Sequence, residues 1–323
     1  MPNSTIIVTG AAGFIGSHTS EALIQRGYRV IGIDNFCDYY DRAWKEQNIR
    51  AIGDGIDLEE IDITDGAAVE RVISRAKPAA IIHLAAMAGV RPSIARPAHY
   101  AGVNVEGTVH LLQSAVTHKV PKFLFASSSS VYGNASKVPF SEEDPVDQPI
   151  SPYAATKRAG ELICHTFWHL YKMPIFCLRF FTVYGPRQRP DLAIHKFTRL
   201  IDAGKPIPVF GDGSMSRDYT YVSDTVAGIM SALDRCDRYR IYNLGGSNPV
   251  TLTQLIQEIE TALGKQAIID RKPTQAGDVE RTYADLTRSK AELGYDPQVE
   301  ITEGLRRFVA WYRENRERYR LEV

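Results

Sequence analysis

A chain of 323 residues has room for roughly two domains. Its 44% hydrophobic and 24% charged residues are those of a globular protein, which excludes a disordered chain, a collagen-like chain and a disulfide scaffold. Lys plus Arg and Asp plus Glu both number 38, so the formal net charge is zero and gives no support to a nucleic-acid or membrane-surface partner.

The N-terminus, MPNSTIIVTG, has no basic leader and runs straight into a strand-like stretch, which argues against a signal peptide. No apolar run reaches the length of a membrane span. In chain order, strands are expected at 5–10, 28–34, 58–63, 79–86, 122–130 and 174–184. Most are continuous apolar runs such as AIIHLAA, the pattern of strands buried on both faces. Amphipathic stretches at 14–26, 67–76 and 98–118 lie between them. This rhythm predicts a Rossmann-type, doubly wound parallel α/β domain over 1–178. Beyond it, Pro and Gly punctuate 185–190 and 204–213, and helical patterns follow at 223–234, 251–263 and 302–319. Residues 179–323 read as a smaller α+β C-terminal domain for substrate, with parts near 215–245 returning to the first domain. The last helix interleaves Arg and Glu beside Leu305, Phe308, Val309 and Tyr312, which reads as a solvated helix docked by one apolar stripe and not as an RNA arm. The four cysteines lack metal-ligand spacing and read as thiols in a reducing cytoplasm; no metal site is expected.

The first strand ends in Gly10-Ala11-Ala12-Gly13-Phe14-Ile15-Gly16. Such a turn lets backbone approach a pyrophosphate, and the helix after it aims its N-terminal N–H groups at the phosphates. Asp34, ending the second strand, can accept from both ribose hydroxyls of NAD and repel the 2′-phosphate of NADP, although Asp-Asn is also turn chemistry. Asp62, ending the third, can accept from the adenine amine or cap the next turn.

Ser151-Pro152-Tyr153-Ala154-Ala155-Thr156-Lys157 opens a helix, and Tyr153 and Lys157 share one of its faces. Oxidising a sugar alcohol requires a base for the hydroxyl proton. Tyrosine ionises near pH 10, and lowering that toward 7 needs about 4 kcal/mol of anion stabilisation. The Lys157 ammonium and a positive nicotinamide ring can supply it, and Ser128, in the serine run 127–130, can hydrogen-bond the same oxygen.

Taken together, the segments 10–16, Asp34, 62–63, 84–86, 127–133, 153–157, 178–185 and 217–222 resemble the extended short-chain dehydrogenase/reductases, and within them the NAD-dependent epimerase/dehydratase family, over essentially the whole chain. The resemblance implies a nucleotide-sugar enzyme with a tightly held NAD, reduced and reoxidised in one turnover. It implies cofactor contacts from Gly10, Gly13, Phe14, Ile15, Gly16, Asp34, Asn35, Asp62, Ile63, Leu84, Ala85, Ala86, Asn104, Ser127, Tyr153, Lys157 and Phe180. It also implies a homodimer built through 98–118 and 151–171. Family dehydratases carry Asp-Glu before the Val-Tyr-Gly step, and decarboxylases a Glu. Here Ser129 and Ser130 precede Val131-Tyr132-Gly133, which leaves C4 epimerisation through a transient 4-keto sugar.

The stretch 179–191, with Thr182, Arg189 and Asp191, resembles UDP-glucuronate 4-epimerases, as do 34–40 and 87–93. One departure is Arg187-Gln188, where that group often has Trp-Gly. The resemblance places Ser128, Ser129, Thr182 and Arg189 at the sugar. Arg91 and Arg217 are expected at the diphosphate, because guanidinium groups bind phosphate bidentately. Asp278 is expected at the uridine ribose, and Lys196 and Phe210 beside the base. Three alternatives remain open at this point: a UDP-glucose 4-epimerase, a UDP-glucuronate decarboxylase, and a non-catalytic NAD-binding regulator on the same fold.

Overall fold

The structure, a computed structural model, describes residues 4–134, 137–273 and 279–319. Its first half follows the βαβ rhythm: β1 (Thr5–Thr9), α1 (Phe14–Gln25), β2 (Arg29–Ile33), α2 (Arg42–Ile52), β3 (Ile56–Glu59), α3 (Gly66–Ala76) and β4 (Ala80–His83). Then come α4 (Val90–Ala95), α5 (Pro97–Ala101), a π turn (Gly102–Glu106), α6 (Gly107–Thr117), β5 (Phe123–Ser128), a 3-10 turn (Ser129–Tyr132), α7 (Pro152–Tyr171) and β6 (Ile175–Phe180). The second half contains β7 (Thr182–Tyr184), α8 (Ala193–Asp202), β8 (Ile207–Phe210), β9 (Ser216–Tyr221), α9 (Val222–Arg235) and β10 (Tyr239–Leu244). It ends with β11 (Pro249–Thr251), α10 (Leu252–Leu263), β12 (Ile269–Lys272), a second π turn (Ser289–Leu293) and α11 (Ile301–Asn315).

Seven parallel strands form the main sheet in the order β10-β6-β5-β4-β1-β2-β3. Every residue of β4, β5 and β6 is buried, as the continuous apolar runs require. A three-stranded sheet, β11-β9-β7, and a parallel pair, β12-β8, make up the remainder.

Several elements differ from the sequence expectation. The expected strand 174–184 is two strands in two sheets. After Phe180 the chain leaves the main sheet, the Phe181 N–H donates to the Leu244 carbonyl at 3.1 Å, and Thr182–Tyr184 pairs with β9. Continuous hydrophobicity cannot mark that exit, because both strands are buried. The strand expected at 58–63 is Ile56–Glu59 instead, and the strand expected at 122–130 ends at Ser128, where a 3-10 turn begins. The helix expected over 98–118 is interrupted by the π turn, and the last helix stops at Asn315. Helices α2, α4 and α8 had no counterpart in the reading. Helix α2 is capped by Asp41, whose carboxylate accepts from the Ala43 N–H at 2.8 Å.

One junction fixes the catalytic side of the sheet. Ser151 caps α7 by accepting from the Ala154 N–H at 3.1 Å, with Pro152 at the first helical position. A Cβ on Gly160 would run into the Phe125 ring, so only glycine lets α7 lie this close to β5. One residue on, Glu161 meets Arg179 of β6 bidentately, at 2.8 and 2.9 Å, and accepts from the Ser127 hydroxyl at 2.6 Å. Glu161 is 0% and Arg179 1% exposed, so neither charge has water as an alternative partner. Arg179 also donates to the Tyr132 hydroxyl at 2.9 Å. Glu161→Ala strands a buried guanidinium, and the loss expected on that ground is about 3–5 kcal/mol. The expected result in urea denaturation is a large drop in midpoint, mostly recovered when Arg179→Met is added. A midpoint unchanged by Glu161→Ala would show that the pair does not hold the junction.

Candidate active site

The C-terminal ends of β1, β2, β4, β5 and β6 surround a cavity of about 480 Å³, within the ordinary range for small-ligand sites. Gly10, Gly13, Phe14, Ile15, Gly16, Asp34, Asn35, Asp62, Ile63, Leu84, Ala85, Ala86, Ser127, Ser128, Ser129, Tyr153, Lys157, Phe180, Thr182 and Arg189 all line it. Two glycines require their identity. Gly10 has φ +70° and packs on β4, where a Cβ would come within 2.8 Å of the Ala85 nitrogen. A Cβ on Gly16 would strike the Gly10 carbonyl. Gly13, the N-cap of α1, brings no side-chain cap, so the first N–H groups of that helix are left for a ligand.

Asp34 is 7% exposed. Its Oδ2 accepts from the Ala12 N–H at 3.1 Å and its Oδ1 from the Phe36 N–H at 2.9 Å. Asp62 accepts from the Asn35 side chain at 2.7 Å and from the Thr64 N–H and hydroxyl at 2.8 and 2.7 Å. Its two sequence readings therefore coexist: it closes the turn at Thr64 and faces the cavity. Asn104 does not line the cavity. Its amide donates to the Met87 carbonyl at 2.9 Å and to Thr156 Oγ1 at 3.0 Å, and its oxygen accepts from the Met87 N–H at 2.8 Å. With both donors spent, it holds the loop after β4 instead of facing a ligand.

At the other end, the Ser128 hydroxyl donates to Ser130 Oγ at 3.1 Å and lies beside the Tyr153 phenol. Burial pushes the Tyr153 phenol above its ordinary value, against the Ser128 hydrogen bond and the Arg189 charge, which pull it down. Lys157 is buried at the end of β5 and donates to the Ala126 carbonyl at 2.7 Å. Burial lowers its ammonium to about 8. Arg189 lies over the Tyr39 ring at 4.9 Å and pairs bidentately with Asp191 at 3.0 and 2.9 Å. Tyr39 shares a hydrogen bond with Tyr100, whose ring stands edge-on to Tyr153 at 6.4 Å.

The remaining expectations lie apart from this wall. Arg91, on α4, stacks on Phe210 of β8 at 4.9 Å, so these two residues meet each other at the border of the two halves. Arg217, on β9, donates to the Ser216 and Glu280 carbonyls at 2.9 and 3.4 Å. Lys196 sits exposed on α8 and does not line the cavity. Asp278 lies outside the described residues. Arg187, at the departure from Trp-Gly, has φ +63° and pairs with Glu21 of α1 at 3.1 Å. Among the described residues, no group of three His, Cys, Asp or Glu side chains is placed to hold a metal.

The reading missed Cys37, Tyr39, Tyr40, Lys45 and His99, which also line the cavity. The aromatic pair at 39–40 stood in the sequence as a signal without a role. Lys45 gave none, since a lone lysine on an amphipathic helix reads as solvent-facing.

A family model described as GDP-mannose 4,6 dehydratase matches residues 7–308. UDP-glucuronate 4-epimerase 5 of Arabidopsis thaliana is 44% identical over 327 residues, covering 95% of this chain and 75% of that protein. Among solved structures, UDP-glucuronic acid 4-epimerase from Bacillus cereus, in complex with UDP-glucuronic acid and NAD, superposes with a TM-score of 0.91 at 34% identity, covering 96% of this chain and 99% of that one. UDP-glucose 4-epimerase from Thermotoga maritima, with UDP-glucose, gives 0.90 at 35% identity with the same coverage. With a matching model over most of its length and relatives this similar end to end, the chain belongs to the NAD-dependent epimerase/dehydratase family of extended short-chain dehydrogenase/reductases.

Proposed function

We propose that the chain is an NAD-dependent 4-epimerase that interconverts UDP-glucuronate and UDP-galacturonate. One observation carries the reaction: Tyr153, Ser128 and Lys157 converge on a cavity that has no carboxylate near the serine run. The acids lining it are Asp34 and Asp62, which stand at the β2 and β3 end. Ser129 and Ser130 occupy the positions where a dehydratase or decarboxylase needs an acid. This favours epimerisation over the decarboxylase alternative, and the intact Tyr153–Lys157 pair disfavours a non-catalytic regulator.

The residues present fit NAD. Gly10 and Gly16 clear space for backbone approach, and the uncapped N-terminus of α1 suits a pyrophosphate. Asp34 keeps lone pairs on Oδ2 for ribose hydroxyls. Bound NAD supplies the hydride acceptor and donor for C4 of the sugar and a positive nicotinamide ring. Tyr153, as the phenolate, takes the C4 hydroxyl proton, with Ser128 beside it to orient that hydroxyl, and returns it after the ketone has turned over. Lys157, held at the floor by the Ala126 carbonyl, supplies the positive charge that favours the phenolate. Residues 1–178 hold the cofactor in this scheme and 179–323 mainly the sugar nucleotide, with 215–245 divided between them.

For the sugar, Arg189 is the deciding group. A desolvated carboxylate needs a cation, and Arg189 is the guanidinium in the wall that holds Tyr153. Thr182 and Ser129 add hydroxyl donors. UDP-glucose remains the second reading, because the Thermotoga maritima UDP-glucose 4-epimerase is about as similar in structure. Free thiols at all four cysteines fit the reducing cytoplasm that this reading implies, and no described helix is long and apolar enough to cross a membrane. A homodimer is proposed through α7 and the 98–118 segment: Leu162, Leu170 and Tyr171 leave more than half of their surface exposed on α7.

Four outcomes are expected. Tyr153→Phe loses about 10²- to 10⁴-fold in turnover while keeping bound NAD and its melting temperature; turnover near the parent rate would remove Tyr153 from the mechanism. In NMR assays of C4 epimers, the parent converts UDP-glucuronate in preference to UDP-glucose. Arg189→Ala lowers kcat/KM for the acid sugar by about tenfold or more, the value of one charge-assisted hydrogen bond, and for UDP-glucose by much less. Equal losses would make Arg189 a general nucleotide or structural residue, and a parent preferring UDP-glucose would overturn the substrate assignment. In light scattering, Leu162→Arg with Leu170→Arg turns a dimer into a monomer; a dimer of unchanged mass would place the interface elsewhere.

A further inference from the structure

Lys45 of α2 is 4% exposed, yet it lines the cofactor end of the cavity. Its ammonium lies 3.3 Å from Asp34 Oδ1, 3.3 Å from the Cys37 sulfur and 5.3 Å from the centre of the Tyr40 ring. Among the described residues, Asp34 is the carboxylate within ion-pairing distance. The side chain expected to select between NAD and NADP is therefore one half of a buried, formally neutral pair. Its charge alone does not describe what a 2′-phosphate would meet.

We propose that Lys45 is a specificity-determining residue for the cofactor: it tempers the rejection of a 2′-phosphate by Asp34 and forms a latent phosphate site at the adenosine ribose. Oδ2 of Asp34 has Ala12 as its protein donor and keeps room for ribose hydroxyls, while Oδ1 is occupied by Phe36 and Lys45. The ammonium thus braces the carboxylate from the oxygen that the ribose does not need. A 2′-phosphate carries roughly −1.5 to −2 charges and would meet both members of the pair. With Asp34 present, its repulsion offsets the attraction of Lys45. With the carboxylate removed, Lys45 is a buried cation without a counter-ion, and a phosphate relieves the cost of that burial. Cys37 and Tyr40 offer a weak acceptor and a ring face, which do not replace a carboxylate.

The inference rests on NAD as the cofactor. The test is the ratio of Kd for NADP to Kd for NAD, measured by calorimetric titration of the full chain and repeated with 2′,5′-ADP against 5′-AMP, which differ only in the 2′-phosphate. The parent prefers NAD. Lys45→Met is expected to raise the ratio by about tenfold or more, because Asp34 then acts without its counter-charge. Asp34→Ser is expected to lower it by at least about tenfold, and adding Lys45→Met to Asp34→Ser is expected to cancel that gain. A parental ratio in Lys45→Met overturns the proposal even if Asp34→Ser does not fold. Equal ratios in Asp34→Ser with and without Lys45→Met overturn it as well. A parent that binds NADP more tightly than NAD overturns the cofactor reading and the proposal with it.

Discussion

The catalytic side of this molecule depends on how closely α7 lies against β5. Lys157 reaches the Ala126 carbonyl, Gly160 admits the Phe125 ring, and Glu161 binds both Arg179 and Ser127. These contacts fall within five consecutive residues of one helix and pin it to two adjacent strands. Tyr153, one turn before Lys157, is held in place by them, because a rigid helix carries its first turn wherever its middle is fixed. The buried Glu161–Arg179 pair is a costly way to join two elements, since desolvating both ions offsets most of their attraction. What it adds over an apolar contact is direction. A bidentate fork sets the rotation of α7 as well as its distance, and with it the side of the helix from which Tyr153 projects.

The second sheet does for the second half of the chain what α7 does for the phenol. Asp218, in the 217–222 segment, accepts from the N–H groups of Gly246, Ser247 and Ala284 at 2.7, 3.1 and 2.8 Å. One buried carboxylate thereby gathers the loop after β10 and the segment before the second π turn onto β9. Residue 181 is where the two systems meet: the chain leaves β6 and, within one residue, starts β7. Phe180 and Thr182 face the same cavity although they belong to different sheets.

How much of this was legible follows from which residues act locally. The glycine turn, the strand-end acids and the Tyr153–Lys157 spacing depend on neighbours in sequence, and the structure brings them to one cavity. The loop-fixing part of Asn104 was not legible, because an amide that fixes a loop and one that binds a ligand look alike in sequence. The exit at Phe181 was hidden inside an unbroken apolar run. Lys45 and Arg189 differ for a related reason. Both work through partners that the fold supplies, Asp34 for one, and Asp191 and Tyr39 for the other. Arg189 could be named only because it sits in a segment that resembles other enzymes.

The cavity therefore carries two paired charges: Asp34 with Lys45, and Arg189 with Asp191. Asp34 and Lys45 both line the space a ligand would fill, whereas of the second pair Arg189 lines it and Asp191 stands behind. Unpaired, either ligand-facing charge would be expensive to bury before a ligand arrived. Paired, each presents a reduced field and must be partly released on binding. The two pairs differ in their access to water. Lys45 and Asp34 leave 5% and 6% of their side chains exposed, whereas Asp191 leaves 43%. Asp191 can accordingly exchange Arg189 for water. Lys45 has no such exit. The two pairs thus differ in kind: one is a fixed pair that a bound group must meet whole, the other a mobile one whose anion can be displaced into water.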